Sequence, residues 1–127
     1  MTDSGAARID SGIDSLESLR TRLRAFVAER DWDQFHNPKN LAMALIAEAA
    51  ELVEHFQWLT ADEADRLPRE TLEEVEHEMA DVLIFLVELA DRLKVDLLAA
   101  AGRKLELNAI KYPVEKARGK STKYTKL

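Results

Sequence analysis

The sequence predicts an all-α fold, a four-helix core bundle, on three observations. Apolar residues recur at alternating spacings of three and four through four long segments. No run alternates apolar and polar residues as a half-buried strand does, and no hairpin turn signal occurs. The prolines at 38, 68 and 113 fall at segment edges, where they start or stop helices rather than break them. At 127 residues the chain is sized for one domain, which buries roughly two-thirds of the surface its unfolded chain exposes.

Residues 1–13 are mostly small and polar and read as a flexible N-terminal segment, lacking the basic start and apolar run of a signal peptide. The first helix spans about 15–30, where Leu16, Leu19, Leu23, Phe26 and Val27 share a face and Asp14 with Glu17 forms a capping box. "DWDQFHNPKN" interrupts the pattern, and Asn37-Pro38 supplies the N-cap and first-turn proline of a second helix running to about Trp58. "LTADEADRLPRE" is a connection with one short helical turn. The third helix runs to about Leu93, with Leu72, Val75, Met79, Val82, Leu86, Leu89 and Leu93 in a stripe that Leu83, Ile84, Phe85 and Val87 widen past one face. A helix apolar on more than one side suggests a partner subunit. Asp96 caps the fourth helix, which stops near Tyr112-Pro113 because proline disfavours helical geometry in the residue before it. The expected domain is thus 14–112, followed by an extended basic tail over 113–127.

The absence of cysteine excludes disulfides, thiolate catalysis and cysteine-bound zinc, so any metal must bind through oxygen or histidine nitrogen. No apolar stretch is long enough to span a bilayer, and a cytoplasmic location is expected. The net charge of -6 conceals a net of +6 over residues 103–127. The acidic remainder argues against direct binding to nucleic acid and suits a cation.

The two middle helices carry a quartet of acids. Glu48 and Glu51 lie about 60° apart on one helix face, and Glu48 falls on the line through Leu41, Leu45, Leu52 and Leu59. Glu78 and Asp81 repeat the spacing, with Glu78 on the line through Val75, Val82 and Phe85. An unpaired buried carboxylate costs several kcal/mol or takes up a proton, so the arrangement calls for a positive partner. A hard divalent cation, Mg2+ in particular, meets that need with a few carboxylates, waters and substrate phosphates. Acid pairs at this spacing also decorate solvated faces by chance. A di-iron bundle is a rival metal reading, but it needs two Glu-x-x-His motifs and this chain has only Glu74 with His77.

On the fourth helix Lys104, Asn108 and Lys111 fall within about 60° of one another, a face suited to polyphosphate or simply a solvated, lysine-rich last turn. Trp32, Phe35 and His36 crowd one polar loop and Trp58 closes the second helix. Such rings either stack on a nucleobase or plug a helix end.

Taken together, "ERDWDQFHNPKNLAMALIAEAAELVEHFQW", "EHEMADVLIFLVELADRLKVDL", "KLELNAIKYP" and "KYT" resemble the dCTP pyrophosphatase branch of the MazG-like all-α nucleoside triphosphate pyrophosphohydrolases over about residues 16–125. The resemblance implies Mg2+ held by Glu48, Glu51, Glu78 and Asp81. It implies phosphate contacts from Lys104, Asn108, Lys111 and Tyr112, and a base and sugar enclosed by Trp32, His36 and Trp58. It further implies hydrolysis of dCTP or a 5-modified form to dCMP and pyrophosphate, with Glu48 or Glu51 as the base for the attacking water. The implied assembly is a homotetramer, a dimer of dimers with active sites completed across subunits. The implied role is nucleotide-pool cleaning. Another triphosphate such as dUTP, or a non-catalytic helical interaction protein, stand as alternatives.

Overall fold

Each of the four long helices forms, and their ends show how the loops between them are set. The structure, a computed structural model, describes residues 11–127, so the expectation for residues 1–13 falls mostly outside the described residues. Helix α1 spans Leu16–Glu29 and is capped one residue later than the Asp14–Glu17 pairing expected from the sequence. The Ser15 hydroxyl accepts the Ser18 N–H at 3.0 Å while the Ser18 hydroxyl accepts the Ser15 N–H at 3.0 Å. Asp14 lies one position too early for this exchange, and its own N–H also donates to Ser18 Oγ.

α1 ends in a Schellman turn. The Trp32 N–H donates to the Val27 carbonyl at 3.0 Å and the Asp31 N–H to the Ala28 carbonyl at 3.1 Å, with Asp31 in the left-handed region at φ 53°. A 3₁₀ turn, Asp33–Phe35, leads to α2, Pro38–Glu54, whose Asn37 cap accepts the Asn40 N–H at 2.9 Å as the sequence implied. α2 stops at Glu54 rather than Trp58. There the chain tightens, with His55 and Phe56 N–H groups donating to carbonyls three residues back. Thr60 and Glu63 form a capping box on the short α3, Ala61–Ala64. α4 runs from Arg69 to Leu93. α5, Leu97–Lys111, is capped by Asp96, which accepts the Ala99 N–H at 3.0 Å.

The tail departs from the extended course expected for it. Pro113, at φ −60°, starts a further turn of helix, α6, Val114–Ala117, and a 3₁₀ turn covers Tyr124–Lys126. Tyr124 meets Tyr112 edge to face at 5.9 Å, and Lys111 Nζ lies 4.8 Å from its ring centroid. These ring contacts account for the fold-back, because they give the basic tail a partner on α5.

The chain divides into two compact units, one ending at Leu93 and the other spanning Lys94–Leu127. In the first, α2 packs along α4 and α1 also rests on α4. Val27, Leu41, Val75, Val87 and Ala90 are its buried centre. Polar ties fix the rest. Arg24 grips Asp91 through two nitrogens, at 2.9 and 2.5 Å, joining α1 to α4. Arg92 donates to both the carbonyl and the carboxylate of Asp33, at 2.6 and 2.7 Å, and so ties the loop after Trp32 to α4. In the second unit α5 carries the folded-back tail.

Candidate active site

The α2–α4 packing gathers the acids. Glu48 on α2 and Glu78 and Asp81 on α4 each offer a carboxylate oxygen, all within 4.8 Å of one another, and all three side chains are half-buried. Glu48 Oε2 and Glu78 Oε2 are buried with no hydrogen-bond partner among the described residues. The Glu48 carboxyl is pushed from its ordinary 4.5 up to about 7, first by burial, then by the Glu51 carboxyl beside it, then by the charges of Asp81 and Glu78. Glu51 itself is exposed and stands at the edge of the cluster. Converging carboxylates with unpartnered buried oxygens are the donor set a hard divalent cation needs. His77 is exposed, which leaves Glu74 and His77 without the inward geometry of a di-iron motif.

On its other side the cluster adjoins an aromatic cleft. A cleft of about 630 Å³ is lined by Phe26, Trp32, His36, Asp81, Phe85 and Glu88 among others, so one metal-cluster acid and two of the predicted base-binding residues share it. That volume suits a bound small molecule. The Schellman turn delivers Trp32, which packs edge to face on Phe26 at 5.8 Å and lies 6.3 Å from the His36 ring at 44°. Trp58 is 87 % exposed and does not line the cleft. The expected phosphate residues lie in the second unit: on α5 Lys104 and Lys111 are exposed and Asn108 is half-buried, and Tyr112 is its C-cap.

The model of the MazG-like family matches residues 44–127, more than half of the chain. The chain belongs to the MazG-like family. This MazG-like protein is 47 % identical to human dCTP pyrophosphatase 1 over 116 residues, covering 89 % of this chain and 68 % of the human protein. Its identity to mouse dCTP pyrophosphatase 1 is 44 % over 129 residues, covering 98 % of this chain and 76 % of the mouse protein. It is also similar to the crystal structure of a pyrophosphatase from Archaeoglobus fulgidus, with a TM-score of 0.71 and 42 % identity over 84 % of this chain and 99 % of that one.

Two residues of this MazG-like site escaped the sequence reading. His55 lies between Glu74 and Glu78, with Nδ1 3.6 Å from Glu74 Oε2 and Nε2 3.7 Å from Glu78 Oε1. Its signal was available: it follows Glu48 by seven residues, on nearly the same line of α2. Glu88 follows Asp81 by seven residues on α4, and its Oε2 faces His36 Nδ1 at 3.4 Å. Burial pushes the Glu88 carboxyl up, and the neighbouring His36 imidazole partly offsets that.

Proposed function

We propose that this MazG-like protein hydrolyses dCTP, or a 5-modified form of it, to dCMP and pyrophosphate with Mg2+ as cofactor. The observation that carries the proposal is the acidic cluster with two unpartnered buried oxygens at the wall of an aromatic cleft. The identity to dCTP pyrophosphatase 1 of two mammals selects the substrate.

Glu48, Glu78 and Asp81 would hold the ion, with Glu51 joining from the edge of the cluster. Bound there, Mg2+ supplies charge neutralisation at the triphosphate oxygens and a hold on the attacking water. Of the two candidate bases, Glu51 is the exposed carboxylate outside the tight cluster, and we assign it the water's proton. Glu48 is then the ligand. Trp32 and His36 would enclose the base in the cleft, with Trp58 added from its exposed position. Lys104, Asn108, Lys111 and Tyr112 of α5 would bind the triphosphate and offset the charge of the leaving pyrophosphate. We take 14–112 as the catalytic domain and a homotetramer, a dimer of dimers, as the working assembly. The large apolar residues that α4 leaves exposed, including Met79 and Leu83, support the assembly. No helix among the described residues is long and apolar enough to cross a membrane, and pool cleaning in the cytoplasm is the role we assign.

The test is product analysis with Mg2+ and a panel of canonical and 5-modified triphosphates, comparing wild type with Glu48→Gln. Release of dCMP and pyrophosphate by wild type alone is expected. No turnover by a folded wild type would instead favour a helical interaction protein.

A further inference from the structure

Glu88 belongs to neither the cation cluster nor the core, yet the fold buries its carboxylate. Its side chain is 11 % exposed, and Oε2 is buried without a hydrogen bond. The nearest basic group is the His36 imidazole, whose Nδ1 lies 3.4 Å away. Arg20, Arg24 and Arg92 line the cavity of about 140 Å³ that also borders Glu88 and His36, but none of them pairs with Glu88. Arg24 holds Asp91, Arg92 holds Asp33, and Arg20 reaches Glu17 at 4.0 Å while its Nε stays buried and unpartnered. An isolated carboxylate at this depth would take up a proton, and an imidazole N–H is the group placed to offset that cost.

His36 has a second nitrogen. Nε2 makes no hydrogen bond among the described residues and is not sealed from solvent, while the ring lines the large cleft together with Trp32 and Asp81. Glu88 and Asp81, seven residues apart on α4, lie within about 20° of one face and roughly 10 Å apart along the axis. A nucleotide with its phosphates at the acidic cluster, as in the proposed function, would have its base directed along that face towards His36, in the cleft that Asp81, His36 and Glu88 all line.

We infer that Glu88 is a specificity-determining positioning residue: by accepting the Nδ1–H of His36 it fixes the tautomer that leaves Nε2 as a hydrogen-bond acceptor for a pyrimidine's exocyclic amino group. Cytosine carries an amino donor where uracil carries a carbonyl acceptor, so the acceptor nitrogen favours the one and faces a second lone pair in the other. The inference rests on the proposed nucleotide substrate. The 3.4 Å separation is long for a hydrogen bond, and such contacts commonly tighten when substrate arrives.

Two measurements on the full chain test it. The first is 15N NMR of the His36 ring in wild type, Glu88→Leu and Glu88→Gln. The second is kcat/KM for dCTP and dUTP in the same three proteins. In wild type the ring proton is expected on Nδ1. Glu88→Leu removes the acceptor without leaving a buried charge, and should lower the dCTP-over-dUTP preference about 10-fold, chiefly through KM for dCTP, with mixed tautomers. Glu88→Gln keeps an acceptor oxygen and should keep most of the preference, which a merely space-filling role does not predict. A wild-type ring protonated on Nε2, as a protonated Glu88 donating to Nδ1 would give, overturns the inference, as does a preference that survives Glu88→Leu. In either case dCTP cleavage by wild type leaves the proposed function standing. A wild type that cleaves no pyrimidine triphosphate overturns that function instead.

Discussion

Glu48 carries the sharpest single-residue consequence. Its carboxyl is raised from 4.5 to about 7 in the folded protein, so between those pH values the fold retains a proton that the unfolded chain has released. More protons bound to the native state mean stability that falls as pH rises through that window. Without divalent cation, the melting temperature of wild type should therefore drop relative to Glu48→Gln as pH goes from about 4.5 to about 7. Excess Mg2+ should remove the difference above pH 7, because the cation takes the proton's place. Parallel melting curves for the two proteins at every pH would show that Glu48 does not titrate there. Asp91 acts in the opposite sense at lower pH. The Arg24 hydrogen bonds hold its carboxyl below its ordinary 3.8, so its contribution to stability is present above that value and is lost as pH falls further. Truncating Arg24 to Ala should lower the stability measurably at neutral pH, although the pair is exposed, because the grip is bidentate. A chemical denaturation midpoint unchanged by Arg24→Ala would assign the pair no net worth.

At the scale of elements, helix existence was legible, as were the ends of α1, α4 and α5 to within a residue or two, whereas the end of α2 was not. The 3.6-residue period registers which face is buried, and Asn37, Pro38, Asp96 and Pro113 act where their local chemistry dictates. The turn that closes α1 could not be read, since a Schellman turn usually announces itself with glycine and here Asp31 takes the left-handed position. The early end of α2 was hidden for another reason. Its apolar spacing continues through Leu59, yet Thr60 already caps the next helix and the chain between tightens into turns. The Asp31 geometry gives a prediction of its own. Asp31→Gly relieves the left-handed backbone and should stabilise by about 0.5–1 kcal/mol, whereas Asp31→Val should destabilise by about 1–2 kcal/mol. Because Trp32 makes the last hydrogen bond of that turn, the valine variant should also raise KM for the nucleotide. An unaltered KM in a destabilised Asp31→Val protein would detach Trp32 from substrate binding.

For the whole molecule, the acids were legible as a quartet because spacing of three on a helix is a geometric fact, and the α2–α4 packing gathered three of them. The spacing of His55 from Glu48 and of Glu88 from Asp81 was there to be read, but their partners were not, since these lie on other elements and cross-element pairing depends on a register that no local pattern encodes. The apolar excess read on α4 persists in the folded chain, where Leu72, Met79, Leu83, Leu86 and Leu93 are exposed, together with Met43, Ile46 and Val53 of α2. Large apolar side chains left in water on this scale fit the proposed subunit interface, and each one covered there would contribute about 1.5–3 kcal/mol at full burial. A lysine placed among them must be buried unpaired or keep the subunits apart. Leu83→Lys should therefore convert the proposed tetramer to a smaller species in light scattering while its helical circular dichroism is kept. If the catalytic sites are completed by a neighbouring subunit, kcat/KM for dCTP should fall at least about 10-fold in that variant, and raising its concentration should partly restore it. A Leu83→Lys protein that remains tetrameric would place the interface elsewhere. One that is smaller but fully active would show that a single chain supplies every group the reaction needs.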